Sequence, residues 1–149
     1  MKKEYLELAF EMAQRAFDLN EVPIGAVIVK DNEILASTYN SKENDMCCTS
    51  HAEILAIEEA SKKVHNWRLE NCDIYITLDP CPMCASAIKQ SRIKNVYSAL
   101  NNSDEDNLKI ITQIFKSDKV NPEVHFESNL AVDKSKNVLN SFFEKQRNS

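Results

Sequence analysis

The stretch Ile24-Gly25-Ala26-Val27-Ile28-Val29 constrains this chain most, because six successive apolar or small residues read as a buried strand. Asp31-Asn32 follows as a turn, and residues 33–39 supply the hairpin partner. Ahead of the hairpin, Leu6, Ala9, Phe10, Ala13, Ala16 and Phe17 recur at helical spacing, which predicts an amphipathic helix over 5–19.

The two periodicities keep alternating downstream. Residues 40–50 are polar and read as a loop, whereas Ala52, Leu55, Ala56 and Ala60 predict a helix over 51–63. The run DIYIT (73–77) alternates as a strand should. Pro80-Cys81-Pro82 then punctuates the chain, and residues 83–90 read as a helix with Pro82 tolerated in its first turn. A strand at 95–99, a helix near 108–115, a strand at 124–127 and a closing helix over 132–146 complete the series. Helices alternating with five strand candidates predict an α/β sandwich around one mixed sheet. No repeat, low-complexity tract or Pro/Gly linker divides the 149 residues, so one domain spanning 1–149 is expected.

Charge and termini narrow the function classes. A net charge of −5 and a pI near 5.2 argue against a broadly basic nucleic-acid binder but leave room for a local basic patch. The cations offered for such a patch are Lys89, Arg92 and Lys94, with Lys145 and Arg147 near the C-terminus. Glu4, Glu7 and Glu11 interrupt the apolar residues of the N-terminal segment, so neither a signal peptide nor a membrane anchor is expected. The expected location is therefore cytoplasmic, where five cysteines suggest metal ligands or inert thiols before disulfides. With a single glycine, few turns can rely on a free positive φ.

The chemistry concentrates in two short segments. Cys81 and Cys84 form C-x-x-C where a strand ends and a helix begins, so helix N–H groups favour the thiolate that a metal needs. His51 sits at another expected helix start, thirty residues earlier. Three such ligands suit Zn²⁺, and with no fourth protein ligand evident a position stays open for water, as in catalytic zinc sites. Glu53, two residues beyond His51, can approach that open position without being a ligand. Zinc lowers the pKa of its water toward about 7. A nearby carboxylate can then take that proton and return it to a leaving amine.

Plainer readings exist for each piece. C-x-x-C alone also fits a redox pair or a chance spacing. Ser50-x-x-Glu53 matches a capping box, in which Glu53 would merely satisfy the Ser50 N–H. Asp104–Asp106 fits a solvated loop, Cys72 a core position, and His65 and His125 surface or sheet positions. Cys47 and Cys48 fit loop thiols, with a second metal or a redox switch as the sharper alternative. Joined as H-A-E followed by P-C-P-M-C between the expected elements, however, the pieces match the zinc nucleobase deaminase pattern H-x-E…P-C-x-x-C.

On those motifs the chain resembles the cytidine deaminase-like superfamily, and within it most closely the bacterial tRNA-specific adenosine deaminases. The resemblance also covers NEVPIGAVIV (20–29), HAEILAI (51–57), LDPCPMCASAI (78–88), SRI (91–93) and FFEKQR (142–147). It implies a three-layer α/β/α sandwich around a five-stranded mixed sheet. It also implies one zinc ion per chain, held by His51, Cys81 and Cys84, with Glu53 as proton shuttle. Asn40 matches the asparagine that hydrogen-bonds the target base; a turn residue ending a strand is its plain alternative. The implied reaction converts the wobble adenosine of a tRNA anticodon arm to inosine, by a homodimer. The sequence departs from the family at Asp79, which stands where glutamate is usual, and at Cys47–Ser50, where Pro-Thr-Ala is common. Residues 100–109 also replace a glycine-rich segment with an acidic one. A free base or nucleoside (cytosine, guanine or cytidine) is the alternative substrate for the same site. A non-catalytic zinc-bearing subunit would be expected to lack the shuttle carboxylate, which is present here as Glu53.

Overall fold

The computed structural model describes residues 1–101, 104–131, 137, 140, 141, 144 and 145. The order is α1 (Lys3–Asp18), β1 (Gly25–Lys30), β2 (Glu33–Tyr39), α2 (Ala52–Val64), β3 (Asp73–Leu78), α3 (Pro82–Gln90), β4 (Asn95–Leu100), α4 (Glu105–Phe115) and β5 (His125–Glu127). The five strands form one sheet ordered β2-β1-β3-β4-β5. The β1 strand pairs antiparallel with β2 and β3, while β3, β4 and β5 run parallel, so the sheet is mixed as expected.

Side-chain alternation along the central strands divides the core in two. Val27, Val29, Tyr75 and Tyr97 pack with Tyr5, Leu6, Ala9 and Phe10 of α1 on one face. On the other face, Ala26, Ile28, Ile74, Ile76 and Val96 pack under α2, α3 and α4 through Ala56, Ala60, Ala85, Ile88, Ile111 and Phe115. Three layers result. Asn137, Asn140, Ser141, Glu144 and Lys145 are helical, in keeping with the expected closing helix, whose other residues lie outside the described ones. The Lys145 ammonium sits 4.9 Å from the Phe17 ring centre, next to α1.

The one glycine is used for close approach rather than for a turn. A Cβ at Gly25 would stand 2.0 Å from Ala9 O and 2.8 Å from Ala13 N, so only glycine lets the α1 backbone lie on β1. Positive φ is supplied instead by Asn20, Asp31, Asn32, Met46, His65, Asn71, Arg92 and Asn129. Four of these are asparagine, whose short side chain tolerates the left-handed region. Asp31 and Asn32 are both left-handed, as a two-residue type I′ hairpin requires.

One expectation needs correction. The acidic run at Asp104–Asp106 is not a solvated loop but the start of α4, which begins three residues before the expected 108. Asp104 is its N-cap and accepts the N–H groups of Asp106 at 3.0 Å and Asn107 at 3.3 Å. Carboxylates are favoured there because they satisfy orphan N–H groups and meet the positive end of the helix dipole.

Candidate active site

The parallel strand β3 ends at Leu78, and Asp79-Pro80 carries the chain to Cys81, the N-cap of α3, with Pro82 in the first turn. Asp79 anchors that junction: its N–H donates to Leu100 O at 2.9 Å and its carboxylate accepts the Ser128 hydroxyl at 2.6 Å. His51 is the N-cap of α2 with no side-chain bond to its own helix, and the Cys81 sulfur sits over the first-turn N–H groups of α3. Both side chains face the space between two helix starts.

They do converge. His51 Nδ1 lies 3.7 Å from Cys81 Sγ and 3.4 Å from Cys84 Sγ, and the three ligand atoms fall within 4.8 Å of one another. Ligands at ordinary zinc distances and tetrahedral angles would place a nitrogen and a sulfur about 3.6 Å apart. The donor set therefore fits Zn²⁺ in both chemistry and spacing. Among the described residues this is the sole such His/Cys/Asp/Glu group. Cys84 is buried, whereas Cys81 and His51 are half-buried, leaving one side of the group accessible.

Electrostatics prepare the thiols. A hydrogen bond from Cys84, helped by the Cys84 and Met83 backbone N–H groups and by His51, lowers the Cys81 pKa to about 5. The same hydrogen bond, together with burial, holds the proton on Cys84. Without a cation the pair thus carries one thiolate, as two adjacent anions in a partly dry site would repel.

Glu53 is 4% exposed, and burial raises its pKa to about 7, with the nearby Cys81 thiolate pushing the same way. The capping-box reading of Glu53 fails. The N-cap is His51 rather than Ser50, and the Ser50 N–H donates to Cys47 O at 3.1 Å. Asn40 follows the end of β2, where its N–H donates to Ile24 O at 3.0 Å and its Nδ2 reaches Val22 O at 3.5 Å. Its neighbour Ser41 donates its N–H to Ser50 O at 3.1 Å, next to His51.

These features belong with near-full-length likenesses. The chain matches the MafB19-like deaminase family over residues 1–147. It is 38% identical to a tRNA-specific adenosine deaminase of Aquifex aeolicus, across 100% of this chain and 99% of that protein. The chain belongs to the tRNA-specific adenosine deaminases.

Solved structures agree with that family. A structure from work on A-to-I editing by tRNA:A34 deaminases superposes with a TM-score of 0.85 at 33% identity, covering 93% of this chain and 100% of its own. A guanine deaminase of Bacillus subtilis gives 0.68 at 29%, covering 100% and 96%.

Two of the cations offered for a basic patch are bonded within the fold. Lys89 is buried, donates to Lys116 O and pairs with Asp118 at 3.0 Å, so its charge is committed within the fold. Arg92 donates to Gln90 O and Asn121 Oδ1, with its guanidinium 5.3 Å from the Trp67 ring centre. Both stand at the far end of α3 from the cysteines. Arg147 lies outside the described residues. Cys72 is buried as expected, while Cys47 and Cys48 are exposed and outside the His51, Cys81 and Cys84 group. Among the described residues no helix is long and apolar enough to cross a membrane.

The residue that sequence reasoning missed is Glu21. It is 1% exposed, and its carboxylate accepts N–H groups from the loop before His51. Its only local signal was a charged residue three positions before the apolar run that begins at Ile24.

Proposed function

We propose that this deaminase converts the wobble adenosine of a tRNA anticodon to inosine. It would act as a single domain (1–149), as a homodimer and in the cytoplasm. The observation carrying the reading is the end-to-end likeness to tRNA-specific adenosine deaminases, with the guanine deaminase likeness weaker in both identity and superposition.

In this reading His51, Cys81 and Cys84 hold one zinc ion per chain. When bound, that ion would acidify a water molecule toward neutral pH and polarise it for attack. Asn40 hydrogen-bonds the flipped adenine and fixes its register. Glu53 takes a proton as the water oxygen adds to C6 and delivers it to N1. It then carries a second proton from the new hydroxyl to the exocyclic amine. The C6–N bond breaks, ammonia departs, and inosine remains. A pKa raised to about 7 by burial suits a group that must both accept and release protons near neutrality.

The test is to incubate zinc-loaded protein with an anticodon stem-loop and, separately, with adenine, guanine, cytosine and cytidine. Inosine in the stem-loop is the expected result. Ammonia from a free base or nucleoside, with no inosine in RNA, would overturn the substrate assignment while sparing the chemistry.

A further inference from the structure

Residues 41–50 leave the sheet after Asn40 and return at His51, so this loop joins the proposed base-binding amide to a proposed metal ligand. Its neck is closed by Ser41 N–H on Ser50 O at 3.1 Å and by the Thr38 hydroxyl on Ala52 O at 2.6 Å. Its tip turns through Met46 at φ 51°. The loop has almost no apolar anchor, since residues 42–49 are all exposed.

The contacts that hold it from outside come mainly from one carboxylate elsewhere in the chain. Glu21, between α1 and β1, accepts the Glu43 N–H at 3.0 Å on one oxygen. The other oxygen accepts the Asn44 N–H at 2.7 Å and Asn44 Nδ2 at 2.6 Å. Asn44 Nδ2 also donates to Leu19 O at 3.1 Å, fastening the loop to the end of α1. A carboxylate buried this deeply is tolerated only when its lone pairs are filled, and here the filling groups all belong to the loop.

We propose that Glu21 is a positioning residue that fixes the loop between Asn40 and His51 in its substrate-binding conformation. The proposal rests on the deaminase reading above. With Glu21 intact the loop is ordered before substrate arrives. Without it, the RNA must order the loop on binding, and the loss falls on KM rather than on the chemical step.

Glu21→Gln tests this, because the amide keeps the shape but turns one acceptor into a donor facing N–H groups. Hydrogen exchange should show lost protection at the 43 and 44 amides. KM for the anticodon stem-loop should rise about tenfold, as loss of one charge-assisted hydrogen bond implies, while kcat and zinc content hold. Asn44→Ala removes the side-chain amide of an exposed residue, and with it the bonds to Glu21 and Leu19 O, so it loosens the same loop without threatening the core. It should raise KM in the same direction by less. Unchanged exchange at 43 and 44, or lowered thermal stability with KM unmoved, would overturn the proposal. Wild-type protein that makes no inosine would instead defeat the RNA reading. The exchange data would then still decide whether Glu21 holds the loop, and KM would be read on whichever base is turned over.

Discussion

The two ends of α3 use the same nine-residue helix in opposite ways. At the N-terminal end Cys81 and Cys84 face His51 across 3.7 and 3.4 Å, and the first-turn N–H groups of Met83 and Cys84 turn toward the Cys81 sulfur. At the C-terminal end Lys89 is closed into the fold by Asp118 and Lys116 O, and Arg92 by Asn121 and Trp67. The difference teaches that charge alone is a poor guide to function. Lys89 and Arg92 look like part of an RNA-binding patch in sequence but are bonded within the fold, while the small thiols converge with His51.

The comparison breaks most visibly at Cys84. Cys84→Ala should take zinc from about one per chain to near none and abolish turnover. It should also lower thermal stability, since two helix starts lose their common ligand. Elemental analysis and a melting curve check both, and full zinc retention would show that the group does not hold the metal.

A smaller and purely structural effect is expected at the other end. Lys89→Met keeps the apolar stem but removes the ammonium, costing about 1–3 kcal/mol for one charged hydrogen bond. Denaturant titration measures it, and kcat/KM should stay unchanged. A loss of activity greater than the loss of folded protein would mean that this end also serves the reaction.

The smallest effect concerns pH. The backbone N–H groups of Asn121 and Val120, with the Lys89 ammonium, hold the Asp118 carboxyl well below its usual range. A carboxyl depressed in the folded state stabilises fully above its unfolded pKa of about 3.9, and that contribution fades as pH falls below it. The stability gap between wild type and Asp118→Asn should therefore be present at pH 6 and shrink toward pH 3. A gap independent of pH would exclude the ionised pair as its source.

Much of the fold was legible because buried strands carry β-branched runs that nothing else explains. The hairpin β1–β2 was expected at 24–29 and 33–39 and stands at Gly25–Lys30 and Glu33–Tyr39. The start of α4 was misplaced because Asp104 and its neighbours have loop composition, and only the cap geometry separates a loop from a first turn. At the site, the meeting of His51, Cys81 and Cys84 could be expected from the joined motifs, since C-x-x-C and H-x-E each lie within one helical turn. The Ser50-x-x-Glu53 pattern misled for a related reason. A motif gives spacing but not which residue caps, and here Ser50 N–H goes to Cys47 O. Glu21 was illegible because its partners, two backbone N–H groups and one side-chain amide, lie more than twenty residues away.

The central claim is that the buried carboxylate beside the metal-holding group moves the protons. Glu53→Gln preserves size and leaves His51, Cys81 and Cys84 untouched, so zinc content should remain about one per chain. Inosine formation in the anticodon stem-loop, followed side by side for wild type and variant at equal zinc content, is the deciding measurement. The expected result is a fall of roughly 10²–10⁴ in rate, the range for a general acid–base group. A variant that makes inosine at the wild-type rate would contradict it.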